Sequence, residues 1–373
     1  MSFGTRLFSG TSTSVGSVQD LQGDVTVPDV GEDSVSDLCF SPVADFLAVA
    51  NWDRRVRIYE VSGGASSNAG RIGTSSMNTP TVAQGRAMYA HDAPVLSCRF
   101  TPDGTKVVSG GADKQVRLFD LASQQTQVIG QHDQPVKCVR PVACGPQNTP
   151  CFVSGSWDRT IRYWDTRQQN PMCTVNMPER VYSLDAAQKL LVVATAGRNI
   201  EIINLNNPNE IFRQSMSPLK YQTRTVACYP KGDGFAVGSI EGRCAIQYVD
   251  EIQQKDYGFS FKCQREQKAS PKEVLIYAVN SIVFHPVFGT FATAGADGTF
   301  SFWDKDSRHR LKGFPSLGVS IPVVNFNRTG SLYAYALGYD WSKGYQYNTP
   351  NYPNMVRLHA CKDEEVKPRG KRK

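Results

Sequence analysis

The chain has 373 residues, of which 20% are charged and 40% hydrophobic, and its formal net charge is +7. This composition is that of an ordinary globular protein, and no apolar run approaches the roughly 18 residues of a membrane span. Residues 1–16 are small and polar and lack the apolar block of a secretory signal. We therefore expect neither secretion nor a membrane partner.

The ten cysteines are scattered through the chain, and none belongs to a Cys-x-x-Cys pair. Several, such as Cys98 and Cys244, lie in apolar, strand-like runs, where a free cysteine behaves as a small hydrophobic residue. Without a secretory signal, we expect reduced thiols in an intracellular protein. Neither Cys nor His clusters at the spacing of zinc ligands, so we expect no metal site and no cofactor.

Residues 1–23 are predicted to be a flexible N-terminal segment. Residues 24–28, which read DVTVP, are predicted to form a short strand. A repeated pattern follows, made of small residues, a turn aspartate and an alternating strand. Its clearest copy, residues 155–165, reads GSWDRTIRYWD and ends in Trp-Asp.

Seven copies of this pattern are present, and four of the six intervals between their turn positions are 40 to 45 residues long. That interval is typical of the WD repeat. The turn positions are Asp53, Asp113, Asp158, Arg198, Glu241, Asp297 and Asp340. The two longer intervals contain residues 62–85 and 253–272, which are predicted to be exposed loops.

Each turn position is preceded by two further strand signals, as in residues 95–100 and 106–109, which a polar turn joins into a hairpin. Three inner strands and one outer strand per copy build a four-stranded blade. The sequence therefore predicts an all-β, seven-bladed WD-repeat β-propeller over residues 24–361. The last copy ends on a third strand, so we expect residues 24–28 to supply its outer strand and close the ring.

The third blade carries four residue types that form a buried hydrogen-bond chain in WD repeats: His132, Ser154, Asp158 and Trp164. Incomplete sets occur in the second blade, with His91, Ser109, Asp113 and Phe119, and in the sixth blade, with Thr293, Asp297 and Trp303. A Ser/His/Asp set also occurs in hydrolases. Because the same types recur at the same blade positions and no G-x-S-x-G turn is present, we assign them a structural role and expect no catalytic residues.

Several longer segments resemble one family of WD-repeat proteins. They are residues 32–42 (EDSVSDLCFSP), 178–185 (PERVYSLD), 216–228 (MSPLKYQTRTVAC), 232–247 (GDGFAVGSIEGRCAIQ), 284–307 (FHPVFGTFATAGADGTFSFWDKDS) and 339–345 (YDWSKGY). Together these resemble the messenger-RNA export factors of the nuclear pore, the Gle-two-like propellers. The resemblance extends over residues 32–373.

The resemblance implies a non-enzymatic scaffold that binds the GLEBS motif of an FG-repeat nucleoporin, supports poly(A) mRNA export and in some organisms assists spindle assembly. It implies RNA or ribonucleoprotein as a further partner, no small-molecule substrate, and a location in the nucleus, at the pore of the nuclear envelope and in the cytoplasm. Two alternatives stay open. One is a mitotic-checkpoint adaptor propeller, and the other is a substrate receptor of a cullin-type ubiquitin ligase.

The loops before the first strand of each blade and between its second and third strands share one side of a propeller. We call this side the basic face, because it would carry Arg54, Arg55, Lys114, Arg159, Arg180, Arg198, Arg224, Arg243, Trp341 and Lys343. Such a face suits an acidic peptide steered by charge, and Arg and Trp are favoured interface anchors. The predicted nucleoporin-binding residues are Arg180, Arg224, Arg243, Trp341 and Lys343. Solvation of a turn-rich rim is the alternative interpretation.

Two smaller surfaces are also candidates. Phe261, Trp303, Lys305 and Arg308 form the opposite-face patch, whose cations could contact phosphates while an aromatic ring stacks on a base; core packing is the alternative for both rings. Trp164, Asp165 and Arg167 match the short W-D-x-R motif of ligase-adaptor binding.

Residues 362–373 are predicted to be a basic C-terminal tail. Within it, residues 366–373 contain five Lys or Arg residues and no acid, which indicates nuclear import or a nucleic-acid contact. A solvated terminus that adds nothing to fold stability is an equally good interpretation.

Overall fold

The computed structural model describes residues 16–62, 82–268 and 273–369. They form seven four-stranded antiparallel sheets arranged as the blades of a propeller. The predicted fold class is therefore confirmed. No helix in the described part of the chain is long and apolar enough to cross a membrane.

The strand that precedes the blades is β1 (Val25–Val27). The first blade contains β2 (Val35–Phe40), β3 (Phe46–Asn51), β4 (Arg55–Ser62) and β5 (Val82–Ala90). The second contains β6 (Val95–Phe100), β7 (Lys106–Gly111), β8 (Gln115–Asp120) and β9 (Thr126–Gln131). The third contains β10 (Val136–Cys144), β11 (Thr149–Ser156), β12 (Thr160–Trp164) and β13 (Cys173–Asn176). The fourth contains β14 (Val181–Ala187), β15 (Leu190–Thr195), β16 (Asn199–Asn204) and β17 (Arg213–Met216).

The fifth blade contains β18 (Thr223–Cys228), β19 (Gly234–Ser239), β20 (Arg243–Tyr248) and, after helix α1 (Glu251–Tyr257), β21 (Phe259–Lys262). A separate two-stranded sheet follows, made of β22 (Arg265–Gln267) and β23 (Val274–Ile276). The sixth blade contains β24 (Val279–Phe284), β25 (Phe291–Gly295), β26 (Phe300–Asp304) and β27 (His309–Gly313). The seventh contains β28 (Val324–Phe326), β29 (Leu332–Leu337) and β30 (Met355–Ala360).

The N-terminal strand closes the ring, as predicted. β1 pairs with β30 in the register Val25 to Leu358 and Val27 to Val356, and so supplies the outer strand of blade 7. Inner strands are also fastened to each other. The Asp37 carboxylate accepts the Cys98 backbone N–H at 3.1 Å between blades 1 and 2, and the side-chain oxygen of Asn325 accepts the Phe40 N–H at 3.1 Å between blades 7 and 1.

The core lies between the blades, because each sheet buries both faces against its neighbours. One cluster, for example, joins the N-terminal strand to blades 7 and 1 through Val27, Leu332, Leu358, Leu38 and Leu47. Successive side chains of an inner strand point to opposite faces of the sheet. Because both faces are buried, successive residues are apolar, and the sequence of these strands is a nearly continuous hydrophobic run.

The prediction of an exposed loop at residues 253–272 is wrong. Most of its described residues form α1, the outer strand β21 and β22. Asp250 caps α1 by accepting the Gln253 N–H at 2.9 Å, which is the usual way an Asp starts a helix. Residues 63–81, which contain most of the other predicted loop, lie outside the described residues.

Both chain ends differ from the prediction of unpacked segments. Near the N-terminus, a 3-10 helix (Val18–Leu21) places Leu21 in the core at 2% exposure. Near the C-terminus, helix α2 (Asp363–Val366) buries Val366 in the same cluster, and the Val366 carbonyl accepts the Thr290 hydroxyl at 2.7 Å. The apolar contacts of Leu21 and Val366 are the reason that the packed domain reaches beyond residues 24–361. Residues 1–15 and 370–373 lie outside the described residues.

Candidate partner-binding surfaces

The turns between the second and third strands share one backbone conformation. In each blade one residue of this turn has a positive φ, and in five blades this residue is not glycine. These five residues are Arg54, Lys114, Arg159, Arg198 and Trp341. In blade 4 the register is shifted by one residue from the prediction: Gly197 occupies the turn position and Arg198 the position of Arg159.

A central cavity of about 680 Å³ runs between the inner strands. Aromatic and basic side chains from the turns and from the first strands line its wall on this side: Trp52, Trp157, Tyr182, Arg224 and Trp341. Two of the predicted nucleoporin-binding residues, Arg224 and Trp341, thus lie at this opening. Neither Trp52 nor Tyr182 was predicted, because neither occupies a repeat position with a diagnostic residue type.

Trp341 is held in a costly conformation. Its φ of 60° lies in the left-handed region, which costs an L-residue about 1–2 kcal/mol. Its ring stacks on Trp52 with centroids 3.9 Å apart, and Tyr339 packs at 5.7 Å. The buried indole N–H of Trp341 has no hydrogen-bond partner among the described residues. Strain that is held in place by neighbouring side chains is typical of functional sites.

Arg224 connects blade 5 to blade 7. Its guanidinium donates to the Asp340 carbonyl oxygen at 2.8 Å, and Asn280 of blade 6 donates to the Asp340 carboxylate at 3.2 Å. Burial opposes ionisation of this carboxyl, but the hydrogen bonds from Ser342 and the charge of Arg224 outweigh burial and lower the pKa of Asp340. The residue before Trp341 is therefore fixed by the two preceding blades.

Arg243 belongs to a second basic group on the same face. Its guanidinium lies 3.7 Å from the Glu241 carboxylate. Arg265 donates to the Glu241 carbonyl at 2.9 Å, and its buried Nε has no partner among the described residues. Burial and the neighbouring Arg243 lower the pKa of Arg265. The two guanidinium groups thus meet at Glu241, Arg243 at its carboxylate and Arg265 at its backbone carbonyl. Arg265 was missed because it lies in the insertion.

The other two predicted docking residues are exposed. Arg180 extends over the Tyr182 ring at 6.0 Å and lies 3.6 Å from Glu179. Lys343 lies 5.6 Å from the centre of the Tyr347 ring. Each cation is therefore accompanied by an aromatic ring.

The basic face is not uniformly basic. The exposed carboxylates of Asp92 and Asp133, before the first strands of blades 2 and 3, pair with Arg117 and Arg162 at 2.5 and 2.9 Å. Both carboxylates thus place negative charge on this face, at blades 2 and 3.

The prediction that the two rings of the opposite-face patch lie at the surface is wrong. Phe261 is 3% exposed and Trp303 is 5% exposed, with ring centroids 4.7 Å apart. Both belong to the core between blades 5 and 6, because Phe261 points inward from the outer strand β21 and Trp303 donates to the Thr293 hydroxyl at 2.9 Å. They are not available to a surface partner.

The two cations of this patch lie at the side opposite the basic face, beside α1. Lys305 pairs with Asp306 at 2.6 Å and lies over Tyr229 at 5.2 Å. Arg308 stacks over Phe259 at 4.9 Å and donates to the Asp256 carbonyl at 3.2 Å. Arg308 and Phe259 are thus the members of this region that combine a cation with a ring near the surface.

The W-D-x-R motif is divided between core and surface. Trp164 is 3% exposed, and Asp165 has a side chain that is only 4% exposed. Arg167 is 73% exposed and forms a bidentate ion pair with Asp165. A partner at this site would meet Arg167 alone of the three side chains.

The four residues of blade 3 form one buried chain. His132 contacts the Asp158 carboxylate at 2.8 Å through Nδ1 and the Ser154 hydroxyl at 2.7 Å through Nε2. The Trp164 indole N–H donates to the same hydroxyl at 2.7 Å. Although burial opposes ionisation, the hydrogen bonds from His132 and Thr160 hold the pKa of Asp158 far below its ordinary value. Because the His132 imidazole and the Ser154 hydroxyl are both buried, this hydrogen-bond network stabilises the sheet.

The incomplete sets are completed by residues that the sequence pattern missed. In blade 2, His91 contacts Asp113 at 2.9 Å and Ser109 at 2.7 Å, and the Tyr89 hydroxyl takes the place of the indole at 2.8 Å from Ser109. In blade 6, Gln264 takes the place of the histidine. Its side chain donates to Asp297 at 3.2 Å and accepts the Thr293 hydroxyl at 3.3 Å.

Among the described residues, no group of three His, Cys, Asp or Glu side chains has the arrangement of a metal site. The surfaces above offer hydrogen-bond donors, cations and rings, which are the means of binding another macromolecule. Fold and surfaces together define the class of protein, a WD-repeat propeller. The WD domain, G-beta repeat family matches residues 26–60, 84–120, 123–165 and 270–304.

Relatives extend over nearly the whole chain. The Poly(A)+ RNA export protein of Schizosaccharomyces pombe is 50% identical over 363 residues, covering 97% of each chain. The mRNA export factor GLE2 of Chaetomium thermophilum is 48% identical and covers 96% of each chain. Protein Rae1 of Drosophila melanogaster is 44% identical, covering 93% of this chain and 96% of its own. The chain belongs to this family of WD-repeat mRNA export factors.

Proposed function

We propose that this protein is a non-enzymatic scaffold of poly(A) mRNA export that docks at the nuclear pore. In this proposal, the basic face binds a GLEBS-type segment of an FG-repeat nucleoporin. The protein is then found in the nucleus, at the nuclear envelope and in the cytoplasm. The relatives named for poly(A)+ RNA and mRNA export support the process, and the geometry of the basic face supports the mode of docking.

The observation that carries the docking proposal is the position of Trp341. An aromatic ring held at the cavity opening by Trp52, at the expense of backbone strain, is a preformed apolar anchor. Preformed anchors lose little conformational entropy on binding. The neighbouring Arg224 fixes the loop and adds a cation next to the anchor.

Arg243 and Arg265 provide the electrostatic part of the site. Two guanidinium groups that share Glu241 leave hydrogen-bond donors for a further carboxylate. Bidentate Arg–carboxylate contacts are among the stronger charged hydrogen bonds in proteins. An acidic side chain of the docked segment would bind here, while an apolar side chain contacts Trp341.

A salt-dependence experiment tests the electrostatic part. Association of a GLEBS peptide with Arg243→Glu should be slower than with wild type at low salt and less sensitive to added salt. Lys231→Glu is the matched control, since exposed Lys231 lies in the same blade between its first two strands, on the opposite side. If both variants associate alike, long-range attraction to this face does not guide docking.

RNA is proposed as a second partner, through the cations beside α1. The combination of Arg308 over Phe259 with the 56% exposed Tyr257 offers a cation and rings for a single-stranded backbone and its bases. Arg308→Ala should weaken crosslinking to a poly(A) oligonucleotide without changing GLEBS affinity. Equal crosslinking of Arg308→Ala and wild type would remove this patch from consideration.

A further inference from the structure

Two of the four cysteines of blade 3 contact each other, and neither binding surface uses them. Cys144 is the last residue of β10 and Cys151 lies in β11, and their sulfur atoms are 2.9 Å apart. Cys144 is opposite Thr149, and Cys151 follows Thr149 by two residues. Because side chains alternate along a strand, the two thiols share one face of the sheet.

We propose that Cys144 and Cys151 are an oxidation site, at which a peroxide converts the two thiols into a reversible disulfide. The Cys144 thiolate attacks a peroxide oxygen, which breaks the O–O bond and gives a sulfenic acid. The Cys151 sulfur then displaces the hydroxyl group from Cys144, forming the S–S bond and releasing water. With hydrogen peroxide, two thiols lose two electrons and two protons, and the peroxide becomes two water molecules.

The surroundings select Cys144 as the attacking sulfur. The Cys151 thiol donates its hydrogen bond to Cys144, and this lowers the pKa of the Cys144 thiol; the cation of Lys189 adds to the effect. Lys189 is held nearby by the carbonyl oxygens of Ala143 and Gly145 at 3.1 and 3.2 Å. In contrast, burial raises the pKa of the thiols of Cys98 and Cys244 well above the ordinary value.

The pair also lies at a point that a small oxidant can reach through local opening. Cys144 and Thr149 form the last pair of the β10–β11 hairpin, and residues 146–148 of the connecting loop are exposed. Hairpin ends open at a low free-energy cost compared with central strands. Bond formation requires the sulfurs to approach by about 0.9 Å, since an S–S bond is about 2.05 Å long.

Peptide mass mapping of the full-length protein tests the proposal. The protein is treated with hydrogen peroxide, denatured and alkylated with N-ethylmaleimide. Cys144 and Cys151 should then remain unalkylated, and the peptide that contains both should be lighter by two hydrogens than its reduced form. Dithiothreitol should restore both. Cys98 and Cys244 are internal controls that should stay fully alkylated. Full alkylation of Cys144 and Cys151 after peroxide, or a sulfinic acid at Cys144, would overturn the proposal.

Single variants test the order of the two steps. In Cys151→Ser the reaction should stop at the sulfenic acid of Cys144, which dimedone traps. In Cys144→Ser, Cys151 should react with neither peroxide nor dimedone. Cys228→Ser is the control and should leave the disulfide unchanged. Because the hairpin end lies on the side opposite the basic face, oxidation should not alter GLEBS affinity, and this proposal can fail or succeed independently of the docking proposal. Dimedone labelling of Cys151 instead of Cys144 would contradict the assigned order.

Discussion

Trp341 of blade 7 stacks on Trp52 of blade 1, with ring centroids 3.9 Å apart and ring planes 22° apart. The two rings meet where the first and last blades adjoin, so the candidate docking face and the closure of the propeller share a contact. A change at this position therefore tests docking only if the closed ring remains intact, and each binding measurement below needs a parallel measurement of stability.

Trp341→Ala should mainly accelerate dissociation of a GLEBS peptide. Loss of a buried aromatic anchor typically costs about 2 kcal/mol of binding free energy, or roughly thirtyfold in affinity. Surface plasmon resonance gives both rate constants. Tyr257→Ala is the control, since Tyr257 is an exposed aromatic residue on α1, on the opposite side. A dissociation rate equal to that of the control would mean that Trp341 is not an anchor.

Asp158→Ala should destabilise blade 3. His132 and the Thr160 backbone N–H would lose their partner, and leaving buried polar groups unpaired costs about 1–3 kcal/mol. Urea denaturation should show a lower midpoint with the slope unchanged. Asp233→Ala is a control that should leave the midpoint unchanged, because Asp233 is exposed in the loop between the first two strands of blade 5. An unchanged midpoint for Asp158→Ala would remove the structural role assigned to this chain.

His359 should make stability depend on pH. Its ring lies between the carboxylates of Asp24, at 2.7 Å, and Glu365, at 3.2 Å. Burial opposes its protonation, but these two carboxylates outweigh burial and raise the pKa of His359 to about 9. Tyr335 also contacts Asp24, at 2.7 Å, and Lys312 acts on Glu365 from nearby.

The pKa of His359 is raised on folding, so protonation stabilises the folded state. This stabilisation is fully present below the ordinary histidine pKa of about 6.5 and is lost as the pH rises through about 9. Its size is roughly 3 kcal/mol. Denaturation midpoints at pH 6.5 and pH 9.5 should differ less in His359→Gln than in wild type. An equal pH dependence of the two proteins would show that this group does not titrate as stated.

Val366→Ala should lower the melting temperature, because Val366 is 2% exposed in the core. Removing two buried methyl groups costs about 1–2 kcal/mol. Lys367→Ala is the matched neighbour, with a side chain that is 51% exposed, and should have little effect. Equal melting temperatures for Val366→Ala and wild type would mean that α2 does not contribute to the core in solution.

The repeat pattern was sufficient to predict the seven blades and the closing strand, because each blade uses the same turn and the same alternation of buried residues. It could not predict Gln264 or Arg265. Gln264 replaces a histidine within a long insertion that has no fixed spacing from the next turn. The repeat pattern identifies the hydrogen-bond partner of a turn aspartate only when the two residues are separated by the regular number of positions.

Burial was harder to predict than position. The sixth repeat gives the positions of both Trp303 and Arg308. Trp303, however, lies in the core, whereas Arg308 lies over Phe259 near the surface. The outcome depends on packing against the adjacent blade, through Phe261, and that contact joins residues of different repeats. The same holds for Val366, whose core neighbours come from blades 6 and 7.

The most direct test of the docking proposal is the affinity of the Arg243→Glu, Trp341→Ala double variant for a GLEBS peptide. Its urea denaturation curve should first establish that it is folded. We predict an affinity loss of at least the roughly thirtyfold expected for the anchor alone, with the Lys231→Glu, Tyr257→Ala double variant binding like wild type. A folded Arg243→Glu, Trp341→Ala protein that binds the peptide as tightly as wild type would contradict the assignment of the basic face as the docking site.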